Sequence, residues 1–215
     1  MTDTTKLFAT PDIAMERRDN GEIVLSSREP LGDYDTQIGV WLRHWAEKTP
    51  DTIAFGERGP GGDWQHITFG QLRARADAVS QALLNRGLGE NRPVMILSGN
   101  SLQHAMLTYG AMQVGIPVAP VSPAYSLMSQ DFAKLRHIFA LVQPGLIFVE
   151  DATPFAQALD SLDLGGVEVL DGNGLQSLSA ANPGAEVEAA FAAVGPDTVA
   201  KYLFTSGSTG LPKGV

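Results

Sequence analysis

Residues 201–215, KYLFTSGSTGLPKGV, carry the most specific chemical information in the sequence. A short apolar run at 202–204 is followed by a loop in which two glycines allow consecutive backbone N–H groups to point at one anion. Four hydroxyl side chains add small hydrogen-bond donors, and one lysine adds a compact positive charge. The composition predicts a phosphate-binding loop. The residues expected to contact phosphate are Thr205, Ser206, Gly207, Ser208, Thr209, Gly210 and Lys213.

Two other interpretations of this loop are considered. A P-loop NTPase requires Gly-Lys followed by Ser or Thr at the start of a helix, whereas here Pro212 precedes Lys213 and Gly214 follows it. The Walker motif is therefore excluded. A flexible Gly/Ser linker has a similar composition, but the strand-like run before the loop and the Pro-Lys-Gly sequence after it favour an ordered element.

The composition limits the classes of function. A chain of 215 residues, 44% of them hydrophobic, is long enough for one large domain or two small ones. Its net charge of −9 argues against nucleic acid or an anionic membrane as a partner. The absence of cysteine excludes disulfides, thiol catalysis and cysteine-ligated zinc. No apolar run of membrane-spanning length and no secretory leader is evident, so a cytoplasmic location is expected.

The first part of the chain contains an arm, a helix and a hairpin. Residues 1–35 are predicted to form an N-terminal arm with one short strand at 23–25. From Thr36 onward, the spacing of Ile38, Trp41, Leu42 and Trp45 predicts an amphipathic helix that ends at Pro50. Both tryptophans are interpreted as core anchors of this helix and not as a stacking platform. Two strands at 52–57 and 64–68 flank a turn cluster and predict a hairpin.

A second helix is expected after the hairpin. Thr68 is predicted to cap it, and Gly87 to end it in the left-handed conformation. One face of this helix is apolar, and the arginines that lie off that face are assigned to solvent. The apolar positions are Leu72, Ala76, Val79 and Leu83, and the arginines are Arg73, Arg75 and Arg86.

Strands and helices then alternate. Short apolar strands are predicted at 93–97, 118–121 and 146–149, with a helix to about Val114 and another over 129–142. This order predicts the α/β class, with a largely parallel sheet, right-handed crossovers and ligand sites at the carboxyl ends of the strands.

Several polar residues near these strands receive structural assignments. The turn at 98–101 could receive an anion, but Asn100 is preferred as a helix cap. His104 is assigned to packing or surface, residues 122–126 to a rigid loop, and Lys134, Arg136 and His137 to the exposed side of their helix.

Residues 151–200 are predicted to contain a helix at 154–162, a strand at 167–170, a turn at 171–174 and a helix at 184–194. Four aspartates in this segment lack the regular spacing of a calcium-binding loop and are assigned to solvent. They are Asp151, Asp160, Asp163 and Asp171. No metal ligand is predicted.

The string FTSGSTGLPKGV resembles the phosphate-binding signature of the adenylate-forming superfamily, which includes acyl-CoA synthetases, nonribosomal peptide adenylation domains and luciferases. The match is unbroken from Thr205 to Gly214. Residues 67–72 and 111–120 also resemble segments of this superfamily, in the expected order. The resemblance covers nearly all of residues 36–215 and implies the incomplete N-terminal part of an AMP-binding domain that ends in its phosphate-binding loop.

The resemblance implies a two-step reaction. ATP and a carboxylic acid form an acyl-adenylate and pyrophosphate, and coenzyme A then displaces AMP to give a thioester. The loop would join two strands and hold the ATP phosphates, with Mg²⁺ bridging them. Family members carry their adenine, ribose and magnesium residues, and the lysine that contacts the acyl-adenylate, after this loop. No catalytic residue is therefore assigned here, and the chain is expected to be the front piece of a longer protein, inactive alone and weakly folded around the loop.

Residues 98–139 and the string PLGDYD at 30–35 look most like bacterial feruloyl-CoA synthases, which implies a hydroxycinnamic acid substrate. A fatty acyl-CoA ligase is the alternative within the class. A non-catalytic ATP-binding module and a structural α/β domain with a flexible tail are the alternatives outside it.

Overall fold

The structure, a computed structural model, describes residues 10–205 and 210–215. The chain divides into two compact units, Met1–Asp35 and Thr36–Val215. In the first unit, β1 (Ile13–Arg17) and β2 (Ile23–Ser27) form an antiparallel hairpin. The strand predicted at 23–25 is therefore present. Its partner was not predicted, because β1 offers only three apolar residues before its charged end.

The second unit contains the remaining elements. In chain order these are α1 (Gly39–Lys48), β3 (Ile53–Arg58), β4 (Trp64–Thr68), α2 (Phe69–Leu84), β5 (Val94–Ile96), α3 (Leu102–Met112), β6 (Val118–Pro120), α4 (Ala124–Leu127), α5 (Ala133–Val142), β7 (Leu146–Phe148), α6 (Ala156–Asp160), β8 (Glu168–Leu170), α7 (Gly172–Leu178), α8 (Ala185–Ala193), β9 (Phe204–Thr205) and β10 (Lys213–Gly214). Within the described ranges, no helix has both the length and the apolar character needed to cross a membrane.

A four-stranded parallel sheet in the order β6-β5-β7-β8 forms the centre of this unit. The chain passes from β5 through α3 to β6 on one side, and then crosses β5 to reach β7 on the other. The topology therefore reverses between β5 and β7, and the predicted α/β class with a parallel sheet is confirmed.

Alternating strand residues enter two separate cores on the two faces of this sheet. Val94 and Ile96 of β5 lie in the core covered by α2 and α3, whereas Met95 lies in the core covered by α5 and α6. All three side chains are fully buried. Burial on both faces explains why these strands appear in the sequence as continuous apolar runs.

The interface between α2 and α3 is close because it contains a glycine. A Cβ added to Gly110 would lie 2.7 Å from Val79 Cγ1 and 3.0 Å from the Ala76 carbonyl oxygen. Beside it, the Ser80 hydroxyl lies 2.6 Å from the Gly110 carbonyl oxygen, and the Gln113 amide donates to that hydroxyl at 2.8 Å. The buried polar groups thus bond to each other across the interface.

The two tryptophans of α1 do not serve as core anchors, so that interpretation was wrong. Trp41 and Trp45 are 54% and 41% exposed, whereas Leu42 is only 3% exposed. The helix lies at the edge of the core formed with Ile67 and Leu72, and only one narrow stripe of it faces inward. Trp45 instead packs beside Phe69, with ring centroids 6.3 Å apart.

The boundaries of α2 agree with the sequence. Thr68 and Gln71 form a reciprocal capping box, and Gly87 has a φ of +63°. The assignment of all three arginines to solvent was wrong in part. Arg86 forms two hydrogen bonds with the Glu168 carboxylate, at 2.8 and 3.3 Å, and Arg73 pairs with Asp77 at 3.1 Å.

Other local predictions differ from the structure. The helix predicted from Ser129 begins only at Ala133, because Ser129 and Asp131 accept the N–H groups of Phe132 and Ala133. The turn at 171–174 is the start of α7, with Asp171 as its cap, and part of the loop at 122–126 forms α4. Each error involves a Ser, Asp or Gly whose preference for turns and for helix caps is similar.

Backbone N–H groups in the turn after β5 are bonded by side chains of the protein itself. The helix cap of α3 is Ser101, whose hydroxyl accepts from the His104 N–H, and not Asn100 as predicted. The Glu57 carboxylate on β3 accepts the Leu102 N–H at 2.8 Å. A protein carboxylate therefore occupies the N-terminus of α3, where an external anion could otherwise bind.

A second carboxylate, Glu150, lies close to this turn. Its pKa is raised mainly by burial, then by repulsion from Glu57, and hydrogen bonding to Ser101 and the nearby His104 lower it. The ionised form of Glu150 therefore carries a free-energy cost in the folded protein.

We expect Gly110→Ala to destabilise the protein by about 1 to 2 kcal/mol, because the overlap with Val79 outweighs the gain in helix propensity. Urea unfolding measures this change. Gly89→Ala is the matched control, since no atom lies within 4 Å of the added Cβ, and its effect should stay within about 0.5 kcal/mol. Equal stabilities of the two variants would contradict the packing interpretation.

We expect Glu150→Gln to raise Tm only slightly at neutral pH, by at most about 1 °C, because solvent around this largely exposed carboxylate screens most of the cost of its charge. The folded pKa lies above the unfolded one, so the cost of ionisation is present at neutral pH and disappears as the pH falls below the ordinary glutamate range. The gain in Tm should therefore fade toward about pH 4. Thermal unfolding across this pH range checks the prediction, with Glu90→Gln as an exposed control. A gain that did not depend on pH would argue against it.

Candidate functional site

The segment before the predicted phosphate loop runs beside β6. Val118 donates its N–H to the Ala200 carbonyl at 3.1 Å, and Tyr202 donates its N–H to the Val118 carbonyl at 2.9 Å. These bonds form a parallel bridge between Val118 and Lys201. The segment therefore runs in the same direction as the sheet strands, toward the carboxyl edge where parallel sheets bind ligands.

Two short antiparallel strands flank the loop. In the ladder of β9 and β10, Thr205 pairs with Lys213 and Phe204 pairs with Gly214. Leu203 and Val215 extend it by exchanging two backbone hydrogen bonds, at 2.9 and 2.8 Å. The loop thus joins two strands, as the resemblance implied.

The structure places part of the predicted site. Thr205 and Lys213 stand opposite each other at the base of the loop with exposed side chains, and the Thr205 hydroxyl lies 3.5 Å from the Lys213 carbonyl oxygen. Gly210 is exposed and precedes β10. The other four predicted residues, Ser206, Gly207, Ser208 and Thr209, lie outside the described residues. Contact between these seven residues and phosphate remains a prediction.

The charge of Lys213 is available to a ligand. Across residues 10–205 and 210–215, its ammonium group has no ion-pair partner, while several arginines are paired with carboxylates. An exposed cation with no ion-pair partner among the described residues suits an anionic ligand.

The two strands that flank the loop form a hairpin that packs against the second core. Tyr202 and Phe204 pack against this core, and a Cβ added to Gly214 would lie 3.3 Å from Phe204 Cε1. Leu141, Val142 and the two aromatic residues line a cavity of about 420 Å³ under the hairpin. The base of the loop is therefore attached to α5 through apolar contacts.

His137 also faces the hairpin. It was assigned to the exposed side of α5, but its ring is half-buried and its Nε2 lies 3.1 Å from the Pro212 carbonyl oxygen. The earlier assignment was wrong because the partner lies 75 residues away in the sequence. Lys134 and Arg136 are exposed, as predicted.

No metal-ligand set is found in the part of the chain that the structure describes, where no three His, Asp or Glu side chains cluster suitably. Of the four aspartates assigned to solvent, Asp171 instead caps α7. The loop between β9 and β10 is thus the best candidate site, since the turn after β5 is occupied by Glu57.

Curated relatives include ligases of carboxylic acids. The sulfoacetate–CoA ligase of Cupriavidus necator is 33% identical over 155 residues, which are 69% of this chain and 29% of that protein. The salicylyl-CoA synthase / salicylate adenylyltransferase of a Streptomyces species is 27% identical over 193 residues, 82% of this chain and 33% of that protein. The chain spans a third or less of the length of the curated relatives it matches.

A solved structure shows the same fold. The N-terminal domain of FACL13 from Mycobacterium tuberculosis superposes with a TM-score of 0.66 at 23% identity, covering 84% of this chain and 43% of that one. Residues 42–215 match the family described as AMP-binding enzyme. This match includes the sheet, both cores and the candidate loop, and the chain therefore belongs to the AMP-binding enzyme family.

Proposed function

We propose that this chain is the N-terminal part of an ATP-dependent ligase that joins a carboxylic acid to coenzyme A through an acyl-adenylate. The observation that carries the proposal is the pairing of Thr205 with Lys213 at the base of a hydroxyl-rich loop, after a segment that runs toward the carboxyl edge of the parallel sheet. The family match supports the same chemistry.

In the first step, a carboxylate oxygen of the acid attacks the α-phosphorus of ATP. The bond from this phosphorus to the bridging oxygen breaks, and pyrophosphate leaves. In the second step, the sulfur of coenzyme A attacks the acyl carbon, the thiol gives up its proton, and AMP leaves. The proposed role of the loop belongs to the first step, in which its N–H and hydroxyl groups hold the β- and γ-phosphates while Lys213 neutralises their charge.

Magnesium, when bound, would reduce the charge on the phosphates of ATP. The described residues provide no carboxylate set for it, so no step of this proposal depends on a metal ligand from this chain. Residues for the adenine, the acid and coenzyme A are likewise proposed to lie in the rest of the whole protein.

We further propose that the acid is a hydroxycinnamic acid such as ferulic acid. The support is the overall likeness of residues 30–35 and 98–139 to bacterial feruloyl-CoA synthases. A relative named for salicylate, which is also a hydroxylated aromatic carboxylate, favours the same substrate class.

One prediction of this proposal concerns the mass of the native polypeptide. Mass spectrometry of the native polypeptide, detected through peptides from this chain, should find a species much larger than 22.9 kDa. A native species of 22.9 kDa would contradict the ligase proposal and favour a non-catalytic nucleotide-binding module.

Another prediction concerns the substrate. On the whole protein, ATP–pyrophosphate exchange should depend on ferulate more strongly than on medium-chain fatty acids.

A further prediction concerns Lys213. Lys213→Ala should reduce the exchange rate by about 10² to 10³, because a charge acting on the transferring phosphates is lost. Lys201→Ala is the matched control, since this lysine lies before the loop, its side chain is exposed, and it bridges to Val118 through its backbone. Exchange with fatty acids alone would contradict the proposed substrate class. An equal loss of exchange rate in Lys213→Ala and Lys201→Ala would contradict the proposed role of Lys213.

A further inference from the structure

The hydrogen bond between His137 and the Pro212 carbonyl connects α5 to the exit of the candidate loop. Pro212 directly precedes Lys213, so the bonded carbonyl belongs to the peptide group that leads into the lysine. A carbonyl oxygen only accepts, so the His137 Nε2 must carry the proton. The ring is therefore either the neutral tautomer with its proton on Nε2 or the imidazolium, which carries a proton on both nitrogens.

The two partners differ in how firmly they are held. Three other side chains of α5, those of Leu135, Ile138 and Val142, are buried in the second core at 0%, 0% and 9% exposure. In contrast, β9 and β10 have two residues each, and their side chains are exposed except that of Phe204, which is half-buried against the second core. An isolated ladder of this length is marginally stable in water. His137 therefore adds a polar connection between a rigid helix and a short ladder, which also rests on the second core through Phe204.

Besides its ladder pairing with Thr205, the backbone on both sides of Lys213 has polar contacts from side chains. His137 holds the carbonyl before it, at 3.1 Å, and the Thr205 hydroxyl approaches the carbonyl of Lys213 itself, at 3.5 Å. The direction of the Cα–Cβ bond of Lys213 follows from the orientation of these two peptide groups. The exposed ammonium is thus attached to a backbone that is held both by the ladder and by one side chain of α5.

We propose that His137 is a positioning residue for phosphate binding, which holds the peptide group between Pro212 and Lys213 so that the lysine meets the phosphates of ATP. This proposal rests on the proposed function of the loop. In this proposal His137 acts through the backbone of Lys213. Both forms of the ring that carry the Nε2 proton can donate the bond, so a neutral donor of similar reach should replace it.

The test uses three variants of the whole protein. His137→Leu removes the donor and keeps the volume, and His137→Gln keeps a donor at a similar distance from the backbone. Arg136→Gln is the matched control, because it changes the neighbouring exposed side chain on the same helix. Steady-state kinetics should give KM for ATP, KM for the acid and kcat separately, and thermal unfolding should give Tm.

We expect His137→Leu to raise KM for ATP about tenfold, in keeping with the loss of one hydrogen bond that orients a binding group. KM for the acid should not change. His137→Gln should stay within about threefold of the wild type, and Arg136→Gln should match it. A Leu variant with normal KM for ATP would overturn the proposal. A His137→Gln variant with the same rise in KM for ATP as His137→Leu would also overturn it, and so would an equal rise in KM for ATP and KM for the acid. Each of these results would indicate that His137 serves only to pack the structure.

Hydrogen exchange separates failure of this proposal from failure of the proposed function. If the wild-type protein catalyses no pyrophosphate exchange with any acid, the proposed function fails. The amides of Lys213, Gly214 and Val215 should still exchange several times faster in the Leu variant than in the wild type and the Gln variant. Equal exchange rates in the three proteins would overturn the positioning role.

Discussion

The central strands of the second unit must bury both of their faces, and the rest of the architecture follows from this constraint. Residues of β5, β6 and β7 alternate between two cores, so each strand requires a helical layer above and below it. The crossover helices α3 and α5 supply those layers on opposite faces. Because parallel strands reach the same edge together, the loops that follow them also collect at that edge.

The position of the candidate loop depends on the same sheet. After α8, the chain returns to the free edge of β6 and forms a parallel bridge there, which sets its direction. It then leaves the sheet and pairs with itself in the short ladder of β9 and β10. Two kinds of support meet at this point. The apolar side chains of Tyr202 and Phe204 hold the ladder on the second core, and the bond from His137 orients its polar backbone.

The strands of the central sheet could be predicted from local sequence, since the signal for each lies within a few adjacent residues, whereas phosphate binding by the loop between β9 and β10 stays a prediction. Features set by distant partners could not. His137 looked like an exposed helix residue because its partner is Pro212, and the exposure of Trp41 follows from how little of α1 the core covers. Helix starts were uncertain for a different reason. Asn100 and Ser101 are both good caps, and only the backbone geometry selects the serine.

The acidic character of the chain constrains how the proposed site would bind ATP. With a net charge of −9, long-range attraction does not favour the approach of an anion. Affinity must then come from groups that act at contact distance, where a hydrogen bond or an unpaired cation outweighs a distant, screened field. Lys213 has this character, because within the described residues no carboxylate pairs with it, whereas Arg43 and Arg86 are each paired with glutamates. A short-range site of this kind depends on geometry more than on charge, so the orientation of the backbone around Lys213 becomes the property that the surrounding structure has to maintain.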